Sequence, residues 1–531
     1  MLKPKVVVRA TLMAVTILLQ VYAAPSQAFA QSSGFAIAPL VKRGDPSPDG
    51  GRFFGCDDCE GRINGSHAFN KLGHAAVAAE TEGRCAATLF HVTELGSTIL
   101  ADTCTETPYG KLGFGSANIN EQGQAAFLAL PLLSGAFVGT IFLHSGGNLT
   151  RLVAQGDATP VGTVFGGCPF SEPSINNRGE VAFGACSDLD RQVFRDGVFL
   201  YSAGEIRKVV LSHDPSPIGG EFALNFFPAV DGFINDSGDV LFQAGVIIDA
   251  SIREKFGLFI ATHGTFEKVV VDGDGMPGGT TVRPGTLGIG DLNNNAEVAF
   301  TVALSGTSDT GIFLRSGGAV RKIMSEGDQT PIGGTFATLD DPDLFDKAIF
   351  IRPRINDNSA VAFKAKVKNG NSPLCILLGS PRAMLKVVAV GDELPTGETI
   401  KELDTFALND LGQVAFFAYG KKGKQNPLGV YVATPETPQI KSIKLKRKKG
   451  ALELRVTGKG MINSDSVIEI NGLALRDMDY PADFREDGGT ITRVISRDSR
   501  LQQLIPEGQT VQVTVFNSLT NKRGAAAALT R

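Results

Sequence analysis

The chain contains no tryptophan among its 531 residues, and only six tyrosines and six histidines. Sugar-gripping surfaces favour Trp and Tyr, whose rings offer an apolar body with a wet polar tip, so this scarcity argues against a glycan platform. His67, His74, His91, His144, His213 and His263 are scattered along the chain, without the His-x-x-x-His or Glu-neighbour spacing of a helical zinc site. There is no Gly-x-Ser-x-Gly elbow and no phosphate-cradling lysine loop. Beyond residue 30 no apolar run reaches the ~18 residues of a membrane span. What is abundant instead is Gly, at 63, and Phe, at 34, which points to one turn and one aromatic core position used many times.

The first thirty residues read as a signal peptide, 1–30. Lys3, Lys5 and Arg9 precede the apolar stretch 10–24, and Ala28-Phe29-Ala30 offers small residues at both cleavage-determining positions. The expected address is therefore secreted, extracellular or periplasmic, with no transmembrane segment after cleavage. The cysteines agree. Cys56, Cys59, Cys85, Cys104, Cys168 and Cys186 crowd the first third, and in an oxidising compartment such clusters read as disulfides. The preferred pairings are Cys85–Cys104 and Cys168–Cys186, each pair flanking a strand–turn–strand. Cys56-Asp-Asp-Cys59 reads as a local disulfide, since no second Cys-x-x-Cys completes a zinc ribbon. Cys375 is left over and reads as a buried free thiol.

One block recurs down the chain. It reads NEQGQAAF from Asn120, NNRGEVAF from Asn176, NDSGDVLF from Asn235, NNNAEVAF from Asn293, NDNSAVAF from Asn356 and NDLGQVAF from Asn409, with a degenerate copy, NKLGHAAV, from Asn70. This is a tight turn feeding a buried strand: Asn bonds its own backbone, Gly takes positive φ, and the branched-small-aromatic triplet suits a strand between neighbouring sheets. Where Ala296 and Ser359 replace the Gly, the adjacent Asn295 and Asn358 are expected to carry the positive φ. A second block, GDPSPDGG at Gly44 and its kin, supplies an Asp per repeat: Asp45, Asp102, Asp157, Asp214, Asp274, Asp328 and Asp392. A residue recurring once per repeat in a Pro-Gly turn reads as a turn cap, not as a catalytic ring. Between the blocks, runs such as GIFLRSGGAVRKIM form hairpins, giving about four strands per repeat.

Seven repeats of four strands predict an all-β fold: a seven-bladed β-propeller over 31–434. The last repeat lacks its final strand, and FAIAPLVKRGD, from Phe35, supplies one at the other end. An N-terminal strand that completes the last blade closes the ring and leaves no open edge. The repeat resembles the bacterial exported tandem-repeat family known by its Asn-x-x-Gly-x-x-Ala-Phe signature. That resemblance implies export and a propeller-like array, and it implies no particular activity.

A Pro-rich linker, 435–438, ends the repeats. Strictly alternating strands follow over 439–531, as expected of a small β-sandwich. The run Val-Thr-Gly-Lys-Gly-Met, followed by Val-Ile-Glu-Ile-Asn-Gly, resembles the immunoglobulin-like IPT/TIG domain. Charge divides between the parts: 438–531 carries a net +6 and 31–437 a net −13. Lys441, Lys444, Lys446, Arg447, Lys448 and Lys449 crowd one hairpin, which reads as a solvated face, a contact with the acidic repeats, or an attachment to an anionic surface.

Asp340, Asp341, Asp343 and Asp346, in the longest insertion, are the candidate calcium ligands, because closely spaced oxygens suit a hard cation. No other cofactor is called for. The expected function is an exported non-enzymatic binding or cell-surface interaction protein. It would act as a monomer on an extracellular protein or surface polymer, and an exported acidic chain meets no nucleic acid. The alternative is an extracellular polysaccharide hydrolase or lyase using carboxylates at the propeller channel.

Overall fold

The structure, a computed structural model, describes residues 34–531 apart from 55–60, 64–67, 83–87, 108, 132–138, 167, 189–193, 225–232, 249–253, 289, 307–308, 338–351, 424, 449 and 481–489. The signal segment, Cys56, Cys59, Cys85 and the Asp340–Asp346 cluster lie outside the described residues. The fold is all-β. Among the described residues the one α-helix is the single turn Leu501–Leu504.

Among the described residues, seven antiparallel sheets of four or five strands carry the repeats. The first comprises β2 (Gly61–Ile63), β3 (Ala75–Ala79), β4 (Thr88–Thr93) and β5 (Gly96–Asp102). The second comprises β6 (Leu112–Ile119), β7 (Ala125–Pro131), β8 (Thr140–Ser145) and β9 (Asn148–Ala154). The last is completed from the other end of the chain. There β1 (Phe35–Lys42) pairs antiparallel with Gln425–Pro435, Phe35 opposite Pro435 and Lys42 opposite Gly429.

The Ala-Phe pair that five of the seven repeats carry shows why these strands are apolar on both faces. Phe127 packs in the core shared with the first sheet, while its neighbour Ala126 packs with Phe165 and Phe183 on the opposite side. A strand sandwiched between two sheets has no polar face to show. Five of the six repeated Phe also meet an aromatic across the strand pair, Phe363 facing Leu377 instead. Phe127–Phe142, Phe183–Phe199, Phe242–Phe259, Phe300–Phe313 and Phe416–Tyr431 all stack at centroid distances of 5.8–6.0 Å. Each fully buried Phe contributes roughly 2–3 kcal/mol of transfer free energy.

The turn residues behave as the repeat requires, with one correction. Gly73, Gly123, Gly179, Gly238 and Gly412 take positive φ. Asn295 and Asn358 do not relieve the two repeats that lack this Gly. Ala296 and Ser359 adopt the left-handed conformation themselves, at φ 56° and 59°. The reason is the hydrogen-bond frame: Ala296 N–H donates to the Asn293 carbonyl, and the Asn293 side chain accepts from Asn295 and Glu297 N–H. That frame fixes which position turns left, whatever residue occupies it.

After residue 435 the chain forms two further sheets. One joins Gln439–Lys448, Ala451–Ile462, Thr490–Ser496 and Met478–Asp479; the other is centred on Ser466–Ile470 and Thr510–Asn517. They share a core built on Leu454, Val456, Ile468, Val513 and Val515. Ile462 and Leu519 of this tail pack into the core of the last repeat.

Candidate functional site

The Asn that opens each repeat block is buried and serves two purposes at once. Asn235 Oδ1 accepts from the N–H groups of Ser237 and Asp239, shaping its own turn. Its Nδ2 donates to the Asn293 carbonyl of the next repeat at 3.2 Å. The same link runs from Asn70 to Asn120, Asn176, Asn235, Asn293, Asn356 and Asn409, at 3.0–3.2 Å. Asn409 then donates to Asn70 at 2.8 Å, and the circle is complete. Around this circle lies a cavity of about 90 Å³, floored by Phe69 and its six apolar equivalents, Ile119 to Leu408. Pockets for organic ligands occupy about 300–1,000 Å³, so this space suits several waters, not a polymer chain.

The residue after each Asn forms a second circle: Lys71, Glu121, Asn177, Asp236, Asn294, Asp357 and Asp410. The backbone N–H of each of the first six donates to the side chain of the next. Lys71 N–H reaches both Glu121 oxygens, Glu121 reaches Asn177, Asn177 reaches Asp236, Asp236 reaches Asn294, Asn294 reaches Asp357, and Asp357 reaches Asp410, at 2.7–3.1 Å. An acceptor is needed at six places, and Asn, Asp and Glu fill them. Lys71 cannot accept. Its Nζ instead pairs with Asp410 at 3.0 Å and lies 4.0 Å from Asp357. The outer oxygens are used as well: Asp236 Oδ2 accepts from the amides of Asn177 and Asn294, and Asn294 also reaches Asp357 Oδ2.

Four carboxylates face one ammonium here, a net charge of −3 when all are ionised. Burial works against the Lys71 charge, but Asp410, Asp357 and Glu121 outweigh it and raise its pKa. Burial pushes the Glu121 carboxyl up, against the pull of the Lys71 N–H and ammonium. The carboxylates all stand at the same repeat position, and each is engaged by a neighbouring repeat. A general acid–base pair needs groups free to exchange protons with substrate. The circle instead uses its carboxylates to stitch repeats together.

The seven repeated Asp residues lie elsewhere and act as turn caps. Asp45, Asp157, Asp214, Asp274, Asp328 and Asp392 each accept the backbone N–H three residues earlier, at 2.8–2.9 Å. Lys208, Lys268, Lys322 and Lys386 reach the other oxygen from six residues back. Asp102 departs from the pattern and holds the N–H of Cys104 instead.

Cys168 and Cys186 form a disulfide, with Cα atoms 5.6 Å apart. Cys104 is also disulfide-bonded, its partner lying outside the described residues. Cys375 is a buried free thiol, pushed up to about 12 by burial. Among the described residues, Cys168, Cys186 and Asp196 stand at metal-ligand spacing, but the two sulfurs are bonded to each other and offer no thiolate.

Sequence spacing missed one constellation. His74, His91 and His144 are scattered in sequence, yet the fold gathers them where the first and second sheets meet. The His74 and His91 rings lie 4.9 Å apart, edge to face. The signal was available in the repeat alignment: His91 follows the Phe of its strand, where the other six repeats carry Leu143, Leu200, Ile260, Leu314, Leu378 and Val432.

The sequence pattern of a family of unknown function, DUF7453, matches residues 65–443. The chain belongs to that family. The DUF7453 match covers the second to sixth repeat sheets whole and most of the first and the last. No curated protein matches the chain. Among solved structures it is similar to the β-propeller domain of the Trilobed protease from Pyrococcus furiosus, at 9% identity and TM-score 0.42, over 71% of this chain and 95% of that one. It is also similar to the polysaccharide lyase Uly1, at 8% identity and TM-score 0.38, over 70% and 90%. A third is the Aleuria aurantia lectin AAL, at 9% identity and TM-score 0.31, over 65% and 97%.

Proposed function

We propose that this chain is an exported, non-enzymatic binding protein whose repeats form a closed seven-bladed β-propeller. The tail, an immunoglobulin-like sandwich, makes contact with an anionic surface polymer. The observation that carries this reading is a row of unpaired cations. Lys441, Lys444, Lys446, Arg447 and Lys448 are exposed on Gln439–Lys448, a strand at the edge of its sheet, and none forms an ion pair among the described residues. The repeat lysines at the turn caps are, by contrast, paired with Asp. A line of free cations along one strand attracts a polyanion and releases its counterions, an attraction that salt weakens.

The alternative, a hydrolase or lyase at the channel, requires carboxylates converging from non-equivalent positions. Among the described residues, those of the second circle are repeat-equivalent and hydrogen-bonded to their neighbours, and Glu172, from a different position, faces the Arg352 guanidinium at 4.0 Å, which favours the binding reading. The test is retention of the mature chain on immobilised dextran sulfate against neutral dextran. Retention on the charged matrix alone is expected, with Lys444→Glu/Lys446→Glu/Lys448→Glu eluting at markedly lower salt. Equal elution of variant and parent, or no retention at low salt, contradicts the proposal.

A further inference from the structure

We propose that His74, His91 and His144 bind one divalent transition-metal ion of the zinc class at the junction of the first two sheets. The two strand histidines approach from opposite sides. His91, on β4, stands opposite Ala76, and its Cε1 lies 3.4 Å from where a Cβ on Gly123 of the second repeat would sit. His144, on β8, stands opposite Ala125 and shares the strand face of Phe142, which packs in the core common to both sheets. His74 enters from the turn and touches His91.

Two physical facts point to a ligand. First, His74 Nδ1, His91 Nε2 and His144 Nδ1 are each buried without a hydrogen-bond partner. A buried polar atom left unmade costs roughly 1–3 kcal/mol, and three together are expensive unless something satisfies them. Second, the positions break the repeat. Five of the other six repeats place an oxygen at the position of His74, where Gln124, Glu180, Asp239, Glu297 and Gln413 accept from the Asn of their own block. At the position of His91 the others are aliphatic. Packing alone therefore calls for neither imidazole.

Three imidazoles suit a borderline ion such as Zn²⁺, which takes nitrogen ligands at about 2.0–2.1 Å. Burial, with the neighbouring His74 and His144 charges, holds His91 down to about 4, so at neutral pH its ring is in the ligating form. Burial lowers His74 and His144 too. The three nitrogens do not yet lie within 4.8 Å of one another, so binding requires a ring rotation, for which half-exposed His74 on its turn has the most room. A water completes the tetrahedron, and the charge of Glu94, which acts on His74, favours a cation there.

The test is calorimetric titration of the untagged mature chain with ZnCl₂ at pH 7.5, read alongside the Zn²⁺-induced shift in unfolding temperature. One saturable equivalent with a raised unfolding temperature is expected. His91→Leu and His74→Gln install residues that sibling repeats already carry, so both are expected to fold. Each should weaken binding at least a hundredfold, while His213→Ala/His263→Ala should bind as the parent does. Absence of saturable binding by the folded parent, or parent-like affinity in a folded His91→Leu, overturns the proposal.

Discussion

The side chain of Asn409 donates to the backbone carbonyl of Asn70 at 2.8 Å, joining residues 339 apart in sequence. The six links that precede it are local steps from one repeat to the next. This seventh turns a row of repeats into a circle, and the pairing of Phe35–Lys42 with Gln425–Pro435 closes the same gap at the sheet level.

If these amides hold the circle, removing one should be costly. Asn235→Ala deletes two donated and two accepted hydrogen bonds at a buried position. A loss of about 2–4 kcal/mol is expected, because buried partners are left unsatisfied. The urea midpoint should fall at nearly unchanged slope.

The turn caps should matter less. Asp274→Ala removes an acceptor from Val271 N–H and the pairing with Lys268. It should cost about 1 kcal/mol, and Asp274→Asn, which keeps the acceptor, less than half of that. Lys268→Ala should be close to neutral, since the ion pair is solvent-exposed. Paired urea melts of the three variants check the ranking.

Ala296→Gly should stabilise the protein. Ala296 is held at φ 56°, a region costing a non-Gly residue about 1–2 kcal/mol, against about 0.5–1 kcal/mol of extra unfolded-chain entropy for Gly. A net gain of about 0.5–1 kcal/mol should appear as a raised urea midpoint. Ser359→Gly should gain less, because it also loses the 2.6 Å hydrogen bond from Ser359 Oγ to Glu297.

The tail should be acid-sensitive. The hydrogen bond from Arg500 holds the buried Asp498 carboxyl well below the ordinary carboxylate range. Glu469 is lowered by Arg523; Glu453, despite burial that works the other way, by Arg455 and Arg497. A carboxylate with a depressed folded-state pKa adds stability that is fully present above its unfolded value. That stability is lost as pH falls below about 4.5, where the unfolded chain takes up protons first. Urea midpoints at pH 7, 5 and 3 should drop chiefly over the last step, and Asp498→Asn should flatten that drop.

Most of the repeat architecture was legible because its turn chemistry is local: Asn and Gly must stand at fixed places for the chain to reverse. The position of positive φ at Ala296 was not, since a hydrogen-bond frame outweighed the preference of the neighbouring Asn295. The second circle escaped notice for a related reason. Lys71, Glu121, Asn177 and Asp236 look like a variable surface position until each is seen to accept, or fail to accept, a neighbour's N–H. His74, His91 and His144 meet only because two sheets pack face to face, which no spacing along the chain records.

The claim on which the account turns is that the channel carboxylates serve the fold while binding lies on the tail. Asp236→Asn/Asp357→Asn tests it most directly, with amides that the third and fifth repeats already carry as Asn177 and Asn294. The double variant should unfold at lower urea, by about 1–3 kcal/mol for the outer oxygens lost. It should nevertheless elute from dextran sulfate at the same salt as the parent. A folded double variant with weakened retention would contradict the account.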